Sequence, residues 1–239
     1  MPEQVQELRK TPTGIAGFDE ISGGGLPRSR TTLVVGGPGT GKTVFALQTL
    51  VNGARQHGEP GIFVAFEEQS EQIVGNAATF GWDLADLERR ELFFLDARMS
   101  LDAVNSGRFD LIGMLASLQA KAEELNARRI VFDSLDVLLM LLEDPVQERR
   151  EIYRVRDWLA GTEMTGIVTA RIEESLRHSE RYGFMQYMAD LVVRLEQDID
   201  PWNAQRAVSV VKYRGSDFTQ GAFPMVIDAG GIDVARLPP

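Results

Sequence analysis

The sequence predicts an α/β fold, with a mainly parallel central sheet flanked by helices and a C-terminal antiparallel β-meander. Three observations carry this reading. Short apolar runs alternate with amphipathic segments up to about residue 170, as buried parallel strands alternate with crossover helices. A glycine-rich loop, Gly36-Gly-Pro-Gly-Thr-Gly-Lys-Thr43, joins one such run to a helical pattern. Beyond a charged stretch at 171–183 the helical patterns stop, and strand-like runs joined by turns follow.

Residues 1–12 are polar and aperiodic, and read as a mobile arm or a strand lent to a neighbour; one folded domain is expected over 13–239. The segment 13–27 is dense in glycine and reads as an ordered turn pinned by Ile15, Phe18 and Leu26. Thr31-Thr-Leu-Val-Val35 is β-branched and bounded by glycines, which suits a buried strand, and the apolar pattern from Val44 to Val51 suits a helix. Gly58 to Gly61 stops that helix, and Ile62-Phe-Val-Ala-Phe66 forms the next strand, ending on Glu67-Glu68. Ser70 reads as the N-cap of a helix carrying Ile73, Val74 and Ala77. A strand at 92–95, a helix from Leu111 to Leu125 and a strand at 129–133 continue the alternation. Asp144-Pro-Val-Gln147 combines a cap with a first-turn proline, so a helix runs from there to Gly161. Strands follow at 165–170, 191–195, 207–213, 223–227 and 232–234.

Composition narrows the chemistry. A chain of 239 residues with 44% apolar and 25% charged residues can bury a sizeable core. No cysteine is present, which excludes disulfides, thiolate metal sites and cysteine nucleophiles and fits a reducing cytoplasm. His57 and His178 are isolated in polar surroundings, which argues against a histidine metal site. The longest apolar run, 137–142, is far too short to span a bilayer, and no signal-like layout opens the chain, so a soluble cytoplasmic protein with no membrane partner is expected. The net charge of −10, with no basic block longer than paired arginines, disfavours nucleic acid as a partner.

The glycine-rich loop reads as a phosphate cradle, the alternative being a plain turn before an ordinary helix. Glycines at 36, 37, 39 and 41 let consecutive N–H groups turn on an anion at a helix N-terminus. Gly37, Gly39, Thr40, Gly41, Lys42, Thr43 and Val44 are the cofactor-binding candidates, with Lys42 reaching the β- and γ-phosphates of a nucleotide and the Thr43 hydroxyl ligating Mg²⁺. Asp133, ending an apolar strand, is either the second partner of that metal or a cap on the following helix. Glu67 and Glu68 either orient a water in line with the γ-phosphorus or are simply acidic residues ahead of a helix. Lys212 and Arg214 leave one face of a strand while Tyr213 leaves the other; they suit either an anion or a charged edge strand. Across a subunit interface such a pair can reach the neighbour's γ-phosphate.

These motifs together resemble the KaiC branch of the RecA-like P-loop ATPases. The likeness rests on Thr13-Gly-x-x-Gly-Phe-Asp19, Gly23-Gly-Gly-Leu-Pro27, the phosphate loop, Phe66-Glu-Glu68, Phe80-Gly-Trp-Asp-Leu84, a strand ending at Asp133, Arg181-Tyr-Gly183 and Lys212-Tyr-Arg-Gly-Ser216. It covers nearly the whole chain from Thr11. The resemblance implies a homo-oligomer, a hexameric ring with ATP between subunits. It makes Glu67 and Glu68 the catalytic carboxylates, sets Lys212 and Arg214 on the neighbour's γ-phosphate, and brings Thr79 and Ser216 near the nucleotide. It also implies circadian-clock-like or signalling regulation and leaves room for a regulatory protein partner. Clock members carry two such domains in tandem, whereas this chain holds one, and the autokinase activity of their second domain is not implied here. The chain departs from the usual Thr-Thr-Glu-Arg at Thr169-Ala-Arg171, and Phe218 stands where a histidine is common. Two alternatives stay open: a platform whose assembly depends on nucleotide with incidental turnover, and a RecA-like DNA motor.

Overall fold

A computed structural model describes residues 8–97, 110–142, 144–172, 183–200 and 203–236. A nine-stranded sheet forms its centre, in the order β11-β10-β9-β8-β3-β7-β6-β4-β5. The strands β3 (Thr31–Gly36), β4 (Gly61–Ala65), β5 (Leu92–Asp96), β6 (Arg129–Asp133), β7 (Thr165–Arg171) and β8 (Leu191–Asp200) run parallel. The strands β9 (Asn203–Tyr213), β10 (Phe223–Asp228) and β11 (Gly231–Val234) then fold back as an antiparallel meander. The expected parallel-then-antiparallel sheet is therefore present.

Strand periodicity divides the core. Val34, Phe63, Val131 and Ile167 face one layer, whereas Leu33, Val35, Ile62, Val64, Ile130, Phe132 and Val168 face the other. The first layer holds α1 (Ala16–Ile21), α2 (Lys42–His57), α3 (Ser70–Ala77) and α4 (Leu84–Glu88). The second holds α5 (Leu111–Leu125), α6 (Leu135–Met140), α7 (Pro145–Gly161) and α8 (residues 183–188). Asp110 and Asp144 cap α5 and α7 by accepting from the N–H groups of Ile112 and Val146, each at 2.9 Å.

Four local readings need correction. The segment expected as an ordered turn contains α1, although Ile15, Phe18 and Leu26 do pin it, each nearly or fully buried. Lys10–Thr11 (β1), inside the expected arm, pairs with Leu26–Pro27 (β2) of the same chain instead of a neighbour. Ser70 opens α3 rather than capping it, and its N–H donates to Asp96 Oδ1 at 2.7 Å, so a side chain from the end of β5 supplies the cap. Helices do not stop after the charged loop: α8 follows it and buries Met185. The charged loop itself and His178 lie outside the described residues, apart from 171–172 and 183.

One buried contact sets the spacing of α2 against β6. Arg129, 1% exposed, donates from Nε to Glu59 Oε2 at 2.7 Å and from Nη1 to the Thr49 carbonyl at 2.8 Å. It passes over Gly53, where an added Cβ would lie 2.5 Å from Nε. Only glycine lets the guanidinium cross the helix there. The contact matters for the site because α2 begins at the phosphate loop and β6 ends at Asp133.

Candidate active site at the carboxyl ends of the parallel strands

In an open α/β sheet, chain reversals at the strand carboxyl ends leave a crevice, and the phosphate loop lies there between β3 and α2. Gly41 takes φ +100°, and a Cβ on it would meet Ile227 Cδ1 at 2.7 Å, so the β10–β11 hairpin packs against the loop's last turn. Lys42 is buried and donates from Nζ to the carbonyls of Gly36 at 3.0 Å and Gly37 at 2.8 Å. Burial lowers its pKa from the usual lysine range, against the opposing pull of Asp136, Asp133 and Glu67. An open cleft of about 690 Å³ adjoins the loop, lined by Gly37, Thr40, Ile172, Glu196 and Asp198 among others.

Asp133 is bonded to two hydroxyls. Its carboxylate does not cap α6; Oδ2 accepts from Thr43 Oγ1 at 2.9 Å and Oδ1 from Thr169 Oγ1 at 2.5 Å. Burial raises its pKa, and the two hydroxyls and Lys42 work against that rise. Thr43 and Asp133 thus present two hard oxygen donors together, a set that fits a magnesium ion completed by phosphate and water oxygens. Among the described residues no cluster of three or more histidine, cysteine or acidic side chains could hold a metal unaided.

Glu67 and Glu68 follow the carboxyl end of β4, one strand from β6, with the Phe66 N–H donating to the Asp133 carbonyl at 2.7 Å. Both side chains are exposed, and Glu67 Oε1 lies 3.6 Å from Arg171 Nη2. Arg171 also lies 3.3 Å from Asp136 Oδ2 through Nε. Asp136 and the Thr169 contact were not legible as site features. The signal for Asp136 was a lone carboxylate inside the apolar run 135–142.

Lys212 and Arg214 do share a face, but not with the loop of their own chain. Lys212 Nζ donates to the carbonyls of Gln186 and Ala189, both at 2.7 Å, and Arg214 Nη2 donates to the Tyr187 carbonyl at 3.2 Å. Arg214 also pairs with Asp190 at 3.6 Å. Tyr213 leaves the other face, where its hydroxyl donates to the Gly25 carbonyl at 3.0 Å. The register Leu191↔Tyr213 and Thr32↔Leu191 sets this pair at the amino end of β3, opposite the loop that follows Gly36. Ser216 lies in the turn beyond it, bonded to the Asp217 carbonyl. Thr79 donates to the Asn76 carbonyl at 2.6 Å, and no hydrogen bond among the described residues joins it to the phosphate loop. The chain thus gathers Lys42, Thr43, Asp133 and Glu67 at one end, and Lys212, Arg214 and Ser216 at the other.

Comparison with known proteins bears on this division. A family model described as "ATPase: KaiC" matches residues 11–238. The chain is 38% identical over 236 residues to "Circadian clock protein KaiC2" of Synechocystis sp., covering 98% of this chain and 41% of that protein. It is 38% identical over 238 residues to "Circadian clock oscillator protein KaiC" of Parathermosynechococcus lividus, covering 98% of this chain and 44% of the relative. A protein of the same description from Prochlorococcus marinus is 38% identical over 233 residues, or 97% and 46% of the two chains. The chain spans less than half the length of these relatives.

Proposed function

The chain belongs to the KaiC family of ATPase domains, and on that premise we propose that it binds ATP with Mg²⁺ and hydrolyses it slowly at the interfaces of a homohexameric ring. The ATPase unit runs over residues 13–239, acts in the cytoplasm and couples nucleotide state to clock-like or signalling regulation through a partner protein. The observation that carries the composite site is the separation of charges: the phosphate loop and the Lys212–Arg214 pair stand at opposite ends of one sheet. Within one chain Lys212 and Arg214 stand away from the phosphate loop, so a head-to-tail contact between copies would join the two.

Each residue has a task. The phosphate loop N–H groups of Gly37 to Val44 hold the phosphates, and Lys42 exchanges its bonds to Gly36 and Gly37 for phosphate oxygens. Thr43 and Asp133 would hold Mg²⁺, which would supply positive charge against the phosphates. Glu67 accepts a proton from the attacking water as the water oxygen bonds to the γ-phosphorus and the bond to ADP breaks. Glu68, its neighbour, is the second catalytic carboxylate beside it. Lys212 and Arg214 of the adjoining copy, with Ser216 beside them, meet the charge that develops on the transferred group. Thr79 contributes at the rim of the nucleotide site.

Mixing tests the composite site. Arg214→Ala subunits and Lys42→Ala subunits are each expected to be nearly inactive, and together to regain phosphate release, because the first supplies the occupied loop and the second the arginine. Rings that demonstrably mix yet recover no activity would show that Arg214 serves only the structure of its own subunit and would overturn the interface mechanism.

A further inference from the structure

Asp136 is a polar group near the phosphate loop that the assigned roles leave unused. It lies in the first turn of α6, inside an apolar run, with its side chain 3% exposed. A carboxylate so buried costs stability unless it is paired. Its Oδ2 lies 3.3 Å from Arg171 Nε, while Oδ1 is buried with no hydrogen-bond partner of good geometry among the described residues. Arg171 ends β7 beside Gly36, the first residue of the loop, and its far nitrogen Nη2 lies 3.6 Å from Glu67 Oε1. Side-chain exposure climbs along this line, from 3% at Asp136 through 27% at Arg171 to 54% at Glu67. The chain of charges therefore runs from the interior to the cleft.

A helix N-terminal aspartate could be placed only to meet the backbone dipole. The ion pair to a side chain on another element argues for a further role, because it anchors the Nε side of an arginine whose Nη2 faces the glutamate. A glutamate half in solvent samples several rotamers, and an arginine fork restricts it by direction as well as by charge.

We propose that Asp136 and Arg171 are positioning residues for hydrolysis: buried Asp136 anchors the Arg171 guanidinium, and Arg171 holds the Glu67 carboxylate toward the phosphate loop. This rests on the reading of Glu67 as the group that receives the water's proton. Arg171 touches neither water nor phosphate in this scheme; it acts through Glu67. A misplacement of about 1 Å in such a group costs on the order of 100-fold in rate, so the signature is a loss in kcat with nucleotide affinity retained.

The full chain is assayed with Mg²⁺ and ATP for phosphate release, and with a fluorescent ADP analogue for binding. Arg171→Ala is expected to lower kcat about 10- to 100-fold, with nucleotide Kd changed by less than about twofold. Arg171→Lys should restore part of the rate, since it returns the charge without the fork. Asp136→Asn keeps the side-chain shape and should lower kcat in the same direction, which secures the test if Arg171→Ala folds poorly. Added to Glu67→Gln, Arg171→Ala should cost nothing further. Full turnover in Arg171→Ala, when Glu67→Gln has abolished it, overturns the positioning role alone. Full turnover in Glu67→Gln removes the assignment of Glu67 and this proposal with it. A parallel loss of rate and nucleotide affinity in Arg171→Ala, with no rescue by lysine, assigns Arg171 to the structure and also overturns the proposal.

Discussion

Gly53→Ala puts the coupling between α2 and β6 to the test, because helix propensity and packing predict opposite signs. In an exposed helix the change would stabilise by about 1 kcal/mol. At residue 53 the new Cβ would lie 2.5 Å from Arg129 Nε and 2.6 Å from Cζ, closer than real contacts. The arginine cannot swing away cheaply, since it is 1% exposed and tied to Glu59 and the Thr49 carbonyl. Displacing it breaks a buried pair, at about 3–5 kcal/mol. Subtracting the propensity gain leaves a net loss of about 2–4 kcal/mol. At about 2–4 °C per kcal/mol for a domain of this size, the melting midpoint should fall by roughly 4–16 °C. Thermal unfolding by circular dichroism at fixed nucleotide reads this directly. Arg129→Met removes the obstacle, so the double variant should lose less than the sum of the two single changes. A midpoint that rises in Gly53→Ala would refute the reasoning, since propensity would then outweigh the contact.

Other outcomes follow from the site. Asp133→Asn, in EDTA without nucleotide, should gain stability over the parent as pH rises. The raised folded pKa of Asp133 gives the parent a contribution that is full below the ordinary carboxylate value of 3.8 and lost on passing through the higher folded value. The two unfolding curves should converge in acid, and the same variant should not turn over ATP; a gap that is widest in acid would reverse the assigned sign. Thr169→Val strips one hydroxyl from Asp133 and should weaken Mg²⁺-dependent ATP binding severalfold, which titration calorimetry would detect and an unchanged affinity would deny. Tyr213→Phe loses the buried hydrogen bond to Gly25 and should cost about 1–2 kcal/mol in denaturant unfolding. Mass measurements with ATP, with ADP and without nucleotide should give a ring favoured by ATP. A ring unchanged across the three states would leave nucleotide no part in assembly.

Much of this molecule was legible in the sequence because each signal was local. The alternation of apolar runs and helical stripes needs only period two or 3.6 to be read, and it gave the strands at 31–36, 61–65, 129–133 and 165–171 within a residue or two. The phosphate loop was legible because its glycines and Lys42-Thr43 are contiguous. Short helices were not: α1, α4, α6 and α8 run five or six residues, too few to repeat an apolar stripe, and packing settles them. The cap on α3 was missed because Asp96 comes from another strand. Asp136 was missed for the same reason, since its meaning depends on Arg171, 35 residues further on. Arg171 itself had been read only as part of a departure from a familiar pattern.

The strand directions carry the last step. β8 is parallel to β3 and β9 antiparallel to β8, so residues leaving the end of β9 must emerge at the amino end of β3. Three residues of chain after Tyr213 cannot return them to the loop beyond Gly36, because four strand positions separate Thr32 from Gly36 at about 3.3 Å each before the loop begins. Any contact between Arg214 and a phosphate on the loop is thereby excluded within one folded subunit without rebuilding the sheet. A second copy meets the need only if its Arg214 end faces the first copy's loop end, and that arrangement leaves its own loop free for a third. Such a contact does not close with two copies, as a two-fold one does, but continues either to a closed ring or to an open filament. If the proposed role of Arg214 is right, its loss should lower turnover at every site of the assembly equally, since each site borrows its arginine from one neighbour and lends its own to another.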